Sequence, residues 1–281
     1  MDGGSRAQLR RAQFKKTEDG EGARARRETF SVQLRKGRRS ELLKKRRRNA
    51  DDDAPPLALA HVPDAELPIL MAMQAVHATD ALKSAQTSTH ETAMRDLCRL
   101  LSAKRHAPID AVLDSNIVSS RLLAWFQNAT TPLDTRLAIA WILTNLASGS
   151  MAQTERFAKT PGCVEALFTV LRAPGAALAL REQVVWAIGN IAGDGLHLRN
   201  FVLERGGLDA VLAQFGMPDC GPEMLRLATW AVGNMCRGKS PPDFTLISPA
   251  IAWLAHTVYV DDDAEVLISS LWALAYISVS Y

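Results

Sequence analysis

The sequence predicts an all-α solenoid: a stack of similar helical units behind a basic N-terminal arm. Three observations predict it. Tryptophans recur at near-constant spacing, Trp141, Trp186, Trp230 and Trp272 lying 45, 44 and 42 residues apart. The segment around each reads as one helix by its apolar spacing; in the third, Leu225, Leu227, Ala228, Val232 and Met235 fall on helical positions. Charge divides along the chain: residues 1–50 hold 17 Lys/Arg against 6 Asp/Glu, and residues 51–281 hold 16 against 24. A basic arm joined to an acidic body predicts an acidic partner for the arm and a basic one for the body.

The four aligned segments read LAIAWILTNLASG (137–149), EQVVWAIGNIAGDG (182–195), RLATWAVGNMCRG (226–238) and ISSLWALAYISVSY (268–281). Two shorter helices are expected before each. The second unit gives 109–118, 120–127 and 133–147, and the third gives 154–158, 164–171 and 178–192. The fourth gives 197–204, 208–215 and 223–236, and the fifth gives 244–247, 250–260 and 264–279. A weaker first copy runs 64–79 and 81–101. Gly149, Gly193, Gly195 and Gly238 follow the third helices and are expected to supply left-handed caps. One short and two longer helices per roughly 43 residues make an armadillo unit. Such units cover one another's apolar faces and stack into a right-handed superhelix with one groove. The expected organisation is an arm over 1–50, a linker over 51–60, and repeats over about 61–106, 107–149, 150–195, 196–238 and 239–281.

Several function classes are excluded on this reading. No apolar run reaches the ~18 residues of a membrane span, and no apolar segment follows the charged N-terminus as in a secretory signal. Cys98, Cys163, Cys220 and Cys236 form no C-x-x-C, and the six histidines form no H-E-x-x-H. The cysteines read as buried thiols in a reducing compartment, with no metal site and no cofactor. GNMCRGKS (233–240) fits the phosphate-loop pattern G-x-x-x-x-G-K-[ST]. That loop needs a strand before it and a helix after it. Here a helix precedes it, Pro241 and Pro242 follow it, and the sister segments lack the Lys-Ser pair, so no nucleotide hydrolase is expected.

Tryptophan and asparagine stand four apart in Trp141/Asn145, Trp186/Asn190 and Trp230/Asn234, so each pair shares a helix face. A helical tryptophan ordinarily packs in a core. Asparagine is a poor helix residue, and its threefold recurrence beside an indole points to a binding surface. Packed helices lie about 10 Å apart and an extended chain advances about 3.3 Å per residue, so one repeat spans roughly two to three ligand residues. A Lys or Arg stem between indoles gains about 0.5–2 kcal/mol. The amides would hold an extended backbone, and Asp194 would take a lysine. The expected ligand is a short, extended, lysine-rich peptide.

These motifs, with KRHAPID (104–110), TWAVGNMCRGKSPP and SLWALAY, resemble importin-α (karyopherin-α), the nuclear-import adaptor family. The resemblance covers nearly the whole chain. It implies a non-enzymatic adaptor that shuttles between cytoplasm and nucleus, with cargo localisation signals and importin-β as partners and neither membrane nor specific nucleic acid. It places the cargo groove on Trp141, Asn145, Gly149, Thr154, Gln183, Trp186, Asn190, Asp194, Trp230 and Asn234, with Trp272 and Tyr276 as the fifth-repeat counterpart. Leu227 and Ser269 depart from the family's usual Asn and Asp. The chain stops at Tyr281, short of the further repeats that carry the family's minor groove and export-receptor site.

The segment from Arg26 to Ala50 looks like the family's importin-β-binding domain, with Phe14, Lys15 and Lys16 near its start. Its implied contacts are Phe14, Lys15, Arg26, Arg27, Leu34, Arg35, Lys36, Arg38 and Arg39. Residues 24–47 are expected to form a helix, with Phe30 and Leu34 on one side, that Gly37 weakens until a partner binds. Lys44, Lys45, Arg46, Arg47 and Arg48 themselves resemble cargo and are expected to compete for the groove as a tethered ligand. The alternative is a generic armadillo scaffold whose basic tail binds nucleic acid.

Overall fold

The computed structural model describes residues 65–103, 106–238 and 240–280, which lie within the compact unit His61–Tyr281. Every regular element among them is helical. The first repeat comprises α1 (Leu67–Lys83) and α2 (His90–Leu101). The expected helix over 81–101 is therefore two elements: α1 continues to Lys83, and a break with a short 3-10 turn over Thr87–Thr89 precedes α2. The break is tied down from the next repeat. Arg121 Nη1 donates to the carbonyls of Leu82 (2.6 Å) and Ser84 (2.9 Å), groups that a helix end leaves without intrahelical partners.

The second repeat holds α3 (Ile109–Asp114), α4 (Leu123–Gln127) and α5 (Leu133–Leu146). Here α3 is shorter than its expected 109–118. Asn116 turns the chain with φ 56, and a wide π turn over Val118–Leu122 leads into α4. The third repeat holds α6 (Met151–Ala158), α7 (Cys163–Arg172) and α8 (Leu178–Gly193). Ser150 and Gln153 close a reciprocal capping box at the start of α6. The fourth repeat holds α9 (Leu196–Leu203), α10 (Gly207–Leu212), a 3-10 turn over Ala213–Gly216, and α11 (Pro222–Cys236). The fifth holds α12 (Phe244–Ile247), α13 (Pro249–Val260) and α14 (Ala264–Ser280).

The third helices pack in series, α5 on α8, α8 on α11 and α11 on α14. Helix α8, in the middle, is buried on nearly every side from Leu180 to Gly193, as a helix apolar all round must be. Two arginines are buried with it. Arg181 donates to the Ala176 carbonyl (3.1 Å) and Gln214 Oε1 (2.9 Å), and pairs with Asp219. Arg199 Nη1 donates to the carbonyls of Arg237 and Ser240, both at 2.8 Å.

The glycine expectation needs correcting. Of the four supposed caps only Gly238 is left-handed, with φ 141. Gly193 is the last residue of α8, and Gly195 is extended. At Gly149 the constraint is space: a Cβ would lie 2.7 Å from Gln153 Oε1 and 2.9 Å from Ile109 Cδ1. The cysteine expectation is half met. Cys163 and Cys236 are buried, and burial pushes both thiols up, whereas Cys98 and Cys220 are only partly covered.

Candidate functional site

The helical period brings each predicted Trp–Asn pair onto the face of its helix that meets the preceding repeat. Trp141, Trp186 and Trp230 are 5, 2 and 6% exposed, and their asparagines are equally buried. The expectation of an open row of rings is therefore not met: the indoles are enclosed. Neither are the amides idle. Asn190 Nδ2 donates to the Thr144 carbonyl (3.3 Å) and Asn234 Nδ2 to the Gly189 carbonyl (3.0 Å). Asn145 Nδ2 and Trp141 Nε1 both reach Ser102 Oγ, at 3.5 and 2.9 Å. An asparagine recurs here partly because one of its N–H groups satisfies a main-chain carbonyl or hydroxyl of the helix before it. The amide oxygens of all three asparagines accept no hydrogen bond among the described residues, which leaves them acceptor capacity.

The other predicted residues sit around this ladder. Thr154 is buried, with its hydroxyl 3.4 Å from the Ala147 carbonyl. Gly149 and Asp194 follow the ends of α5 and α8 and are half-buried. Gln183 lies one turn before Trp186. Its carbonyl accepts from Thr144 Oγ1 at 3.1 Å, but its enclosed Oε1 has no partner, and neither has Trp230 Nε1. In the fifth repeat Trp272 and Tyr276 are half-buried and stack with centroids 6.2 Å apart. Beside Gln183, Glu182 is a half-buried carboxylate whose pKa rises to about 6. Burial is the main cause, with Glu223 and Asp219 adding to it and Arg181 opposing it. The GNMCRGKS stretch covers the last turn of α11 and the segment beyond it. Its Arg237 and Ser240 carbonyls face the Arg199 guanidinium, an arrangement for a cation and not for a phosphate. No group of three or more His, Cys, Asp and Glu among the described residues is arranged to hold a metal, and no described helix is long and apolar enough to cross a membrane.

Comparison with known proteins adds the family. Importin subunit alpha-2 of Arabidopsis thaliana is 34% identical over 281 residues, 98% of this chain and 50% of the relative. Importin subunit alpha-1a of Oryza sativa is 37% identical over 275 residues, 97% of this chain and 50% of the relative. Residues 10–99 match the family model for the importin beta binding domain. The chain is a homologue of importin-α subunits. It spans about half the length of the importin-α relatives it matches. A designed armadillo repeat protein, solved in complex with the peptide (KR)4, superposes with a TM-score of 0.62 at 22% identity, covering 72% of this chain and 81% of that one. At that identity the likeness concerns the fold.

The importin beta binding match extends beyond the basic arm into α1 and α2. Phe14, Lys15, Arg26, Arg27, Leu34, Arg35, Lys36, Arg38 and Arg39 fall inside the matched span and outside the described residues, and Lys44 to Arg48 do likewise. Two buried polar residues that hydrogen-bond across about one repeat length escaped the sequence reading. Ser102, at the end of α2, has nothing in its local sequence to mark it. Arg199 carries a faint signal: it follows Trp186 by 13 residues, as Thr154 follows Trp141. Both are buried residues of a first helix.

Proposed function

We propose that the chain is a nuclear-import adaptor. Residues 61–281 would hold a lysine-rich localisation signal of a cargo protein along α5, α8, α11 and α14, while the arm over 1–50 binds importin-β. On this reading the protein is not an enzyme, needs no cofactor, and shuttles between cytoplasm and nucleus. The observation that carries it is the Trp–Asn pair on three successive third helices, with the enclosed and unpartnered Trp230 Nε1 and Gln183 Oε1 beside it. An unmet buried donor or acceptor costs about 1–3 kcal/mol. A peptide backbone supplies both the missing acceptor and the missing donor. The similarity to importin-α supports the partner class, and the (KR)4 complex of the designed armadillo protein is consistent with a cationic strand as ligand.

The low exposure of the rings makes competition part of the proposal. A cargo peptide gains the indole faces only by displacing whatever covers them. The basic run Lys44–Arg48 is a tethered competitor at an effective concentration near millimolar. A second reading, favoured by the enclosed rings and inter-repeat amides, is a scaffold in which the ladder only joins repeats.

Fluorescence anisotropy separates the two readings, with a fluorescein-labelled peptide of residues 41–50 as the probe. The adaptor reading expects binding that weakens about tenfold, or about 1.4 kcal/mol, in Asn190→Ala and Asp194→Ala. Equal binding of a control peptide with its five cations changed to glutamine would leave the scaffold.

A further inference from the structure

The ladder contacts repeat in a way that the Trp–Asn motif does not announce. Each of the three asparagines, and two of the three indoles, meets a seat residue contributed by the preceding repeat. For Trp141 and Asn145 the seat is Ser102, whose hydroxyl accepts from both. For Asn190 it is Thr144, whose carbonyl accepts the amide while its hydroxyl donates to the Gln183 carbonyl. For Trp230 and Asn234 it is Gly189.

Gly189 is the extreme case. A Cβ on it would lie 2.2 Å from Cζ3 of Trp230, 2.8 Å from Cε3 and 2.9 Å from Cη2, far inside van der Waals contact. The six-membered edge of the indole thus rests on the bare backbone of α8. Asn234, one turn further along α11, donates to the carbonyl of the same glycine at 3.0 Å. The ring is 6% exposed, so it has little room to swing aside, and its Nε1 has no hydrogen bond to fix it. Trp141, by contrast, is held by a hydrogen bond to its seat. Ring placement in the fourth repeat therefore depends on the absence of a side chain in the third.

We propose that Gly189 is a positioning residue for the fourth-repeat subsite, setting the depth of the Trp230 indole and the aim of the Asn234 amide that meet the ligand. The inference rests on the reading of the ladder as a peptide site. Glycine within a helix is otherwise unfavourable relative to alanine, so helix propensity alone would select alanine at 189. The seat is what opposes it.

A double-mutant cycle in the full chain tests this: unsubstituted protein, Gly189→Ala, Trp230→Ala, and both together. Tm and affinity for the labelled 41–50 peptide are measured on each. Gly189→Ala alone is expected to lower Tm by several degrees and weaken the peptide about tenfold. In the Trp230→Ala background the obstructing ring is gone. There the same substitution should raise Tm slightly, through helix propensity, and leave peptide affinity within about twofold. A merely structural defect in α8 would lower Tm equally in both backgrounds. That result, or an unchanged Tm in Gly189→Ala alone, overturns the seat. Peptide affinity that survives Gly189→Ala but falls in Trp230→Ala overturns the positioning role. If neither the unsubstituted chain nor one with Lys44, Lys45, Arg46, Arg47 and Arg48 changed to alanine binds the peptide, the peptide-site reading falls and the positioning role falls with it; the Tm reversal then still decides whether Gly189 seats the ring.

Discussion

Glutamine in place of Glu182 is expected to stabilise the protein at neutral pH. Glu182 lies in the early part of α8, half-buried, beside Glu223 and Asp219, with only Arg181 in opposition, and its pKa rises from 4.5 to about 6. A folded-state pKa above the unfolded value means that the folded chain binds the proton more tightly. The associated stability is fully present below pH 4.5 and is lost as pH rises through about 6. That rise corresponds to about 2 kcal/mol at 1.36 kcal/mol per pH unit, and partial solvent exposure reduces it to about 1 kcal/mol. Glu182→Gln removes the ionised carboxylate, so it should add about 1 kcal/mol at pH 7.5 and little at pH 4.5, a Tm gain at neutral pH of about 2–4 °C. Urea denaturation at the two pH values measures the difference directly. Equal stability of the two proteins at pH 7.5, or a gain only at pH 4.5, would refute the assignment of a buried, repelled carboxylate.

Other outcomes follow from the same contacts. Arg181→Met keeps the buried stem but strips the hydrogen bonds to Ala176 and Gln214 and the pair with Asp219. It should cost about 2–4 kcal/mol, less than a fully buried pair because Asp219 is half exposed, as read by urea denaturation. Asn234→Ala gives up one 3.0 Å hydrogen bond but gains helix propensity, so stability should change by less than about 1 kcal/mol while peptide affinity falls about tenfold. A large loss of stability with unchanged affinity would reduce that amide to a joint between repeats. Millimolar ATP or GTP should leave Tm unchanged, because the GNMCRGKS segment presents carbonyls to Arg199; a nucleotide-dependent rise would revive the phosphate-loop reading.

The third helices were legible because their apolar residues dominate and recur. The segment expected over 178–192 is found as Leu178–Gly193, and that expected over 223–236 as Pro222–Cys236. Polar residues that bridge repeats were not legible. The partners of Arg181 and Arg199 in or at the edge of the next repeat lie 33 to 41 residues away, beyond any local pattern. The break at Ser84 was hidden because helix-compatible residues flank it and its carbonyls are satisfied by Arg121, a residue of the next repeat. The Trp–Asn periodicity located the candidate site but misjudged its accessibility. Spacing says which residues share a face, and only packing says what lies against that face. Here the answer includes Ser102, Thr144 and Gly189.

The most direct test of the peptide-binding ladder is a titration of the labelled 41–50 peptide into two full chains, unsubstituted and with Lys44, Lys45, Arg46, Arg47 and Arg48 changed to alanine. If a tethered cationic run covers the indoles, the substituted chain should bind at least about tenfold more tightly, and Trp186→Ala should abolish the gain. Failure of both chains to bind would mean that helices alone enclose Trp141, Trp186 and Trp230, and would contradict the account.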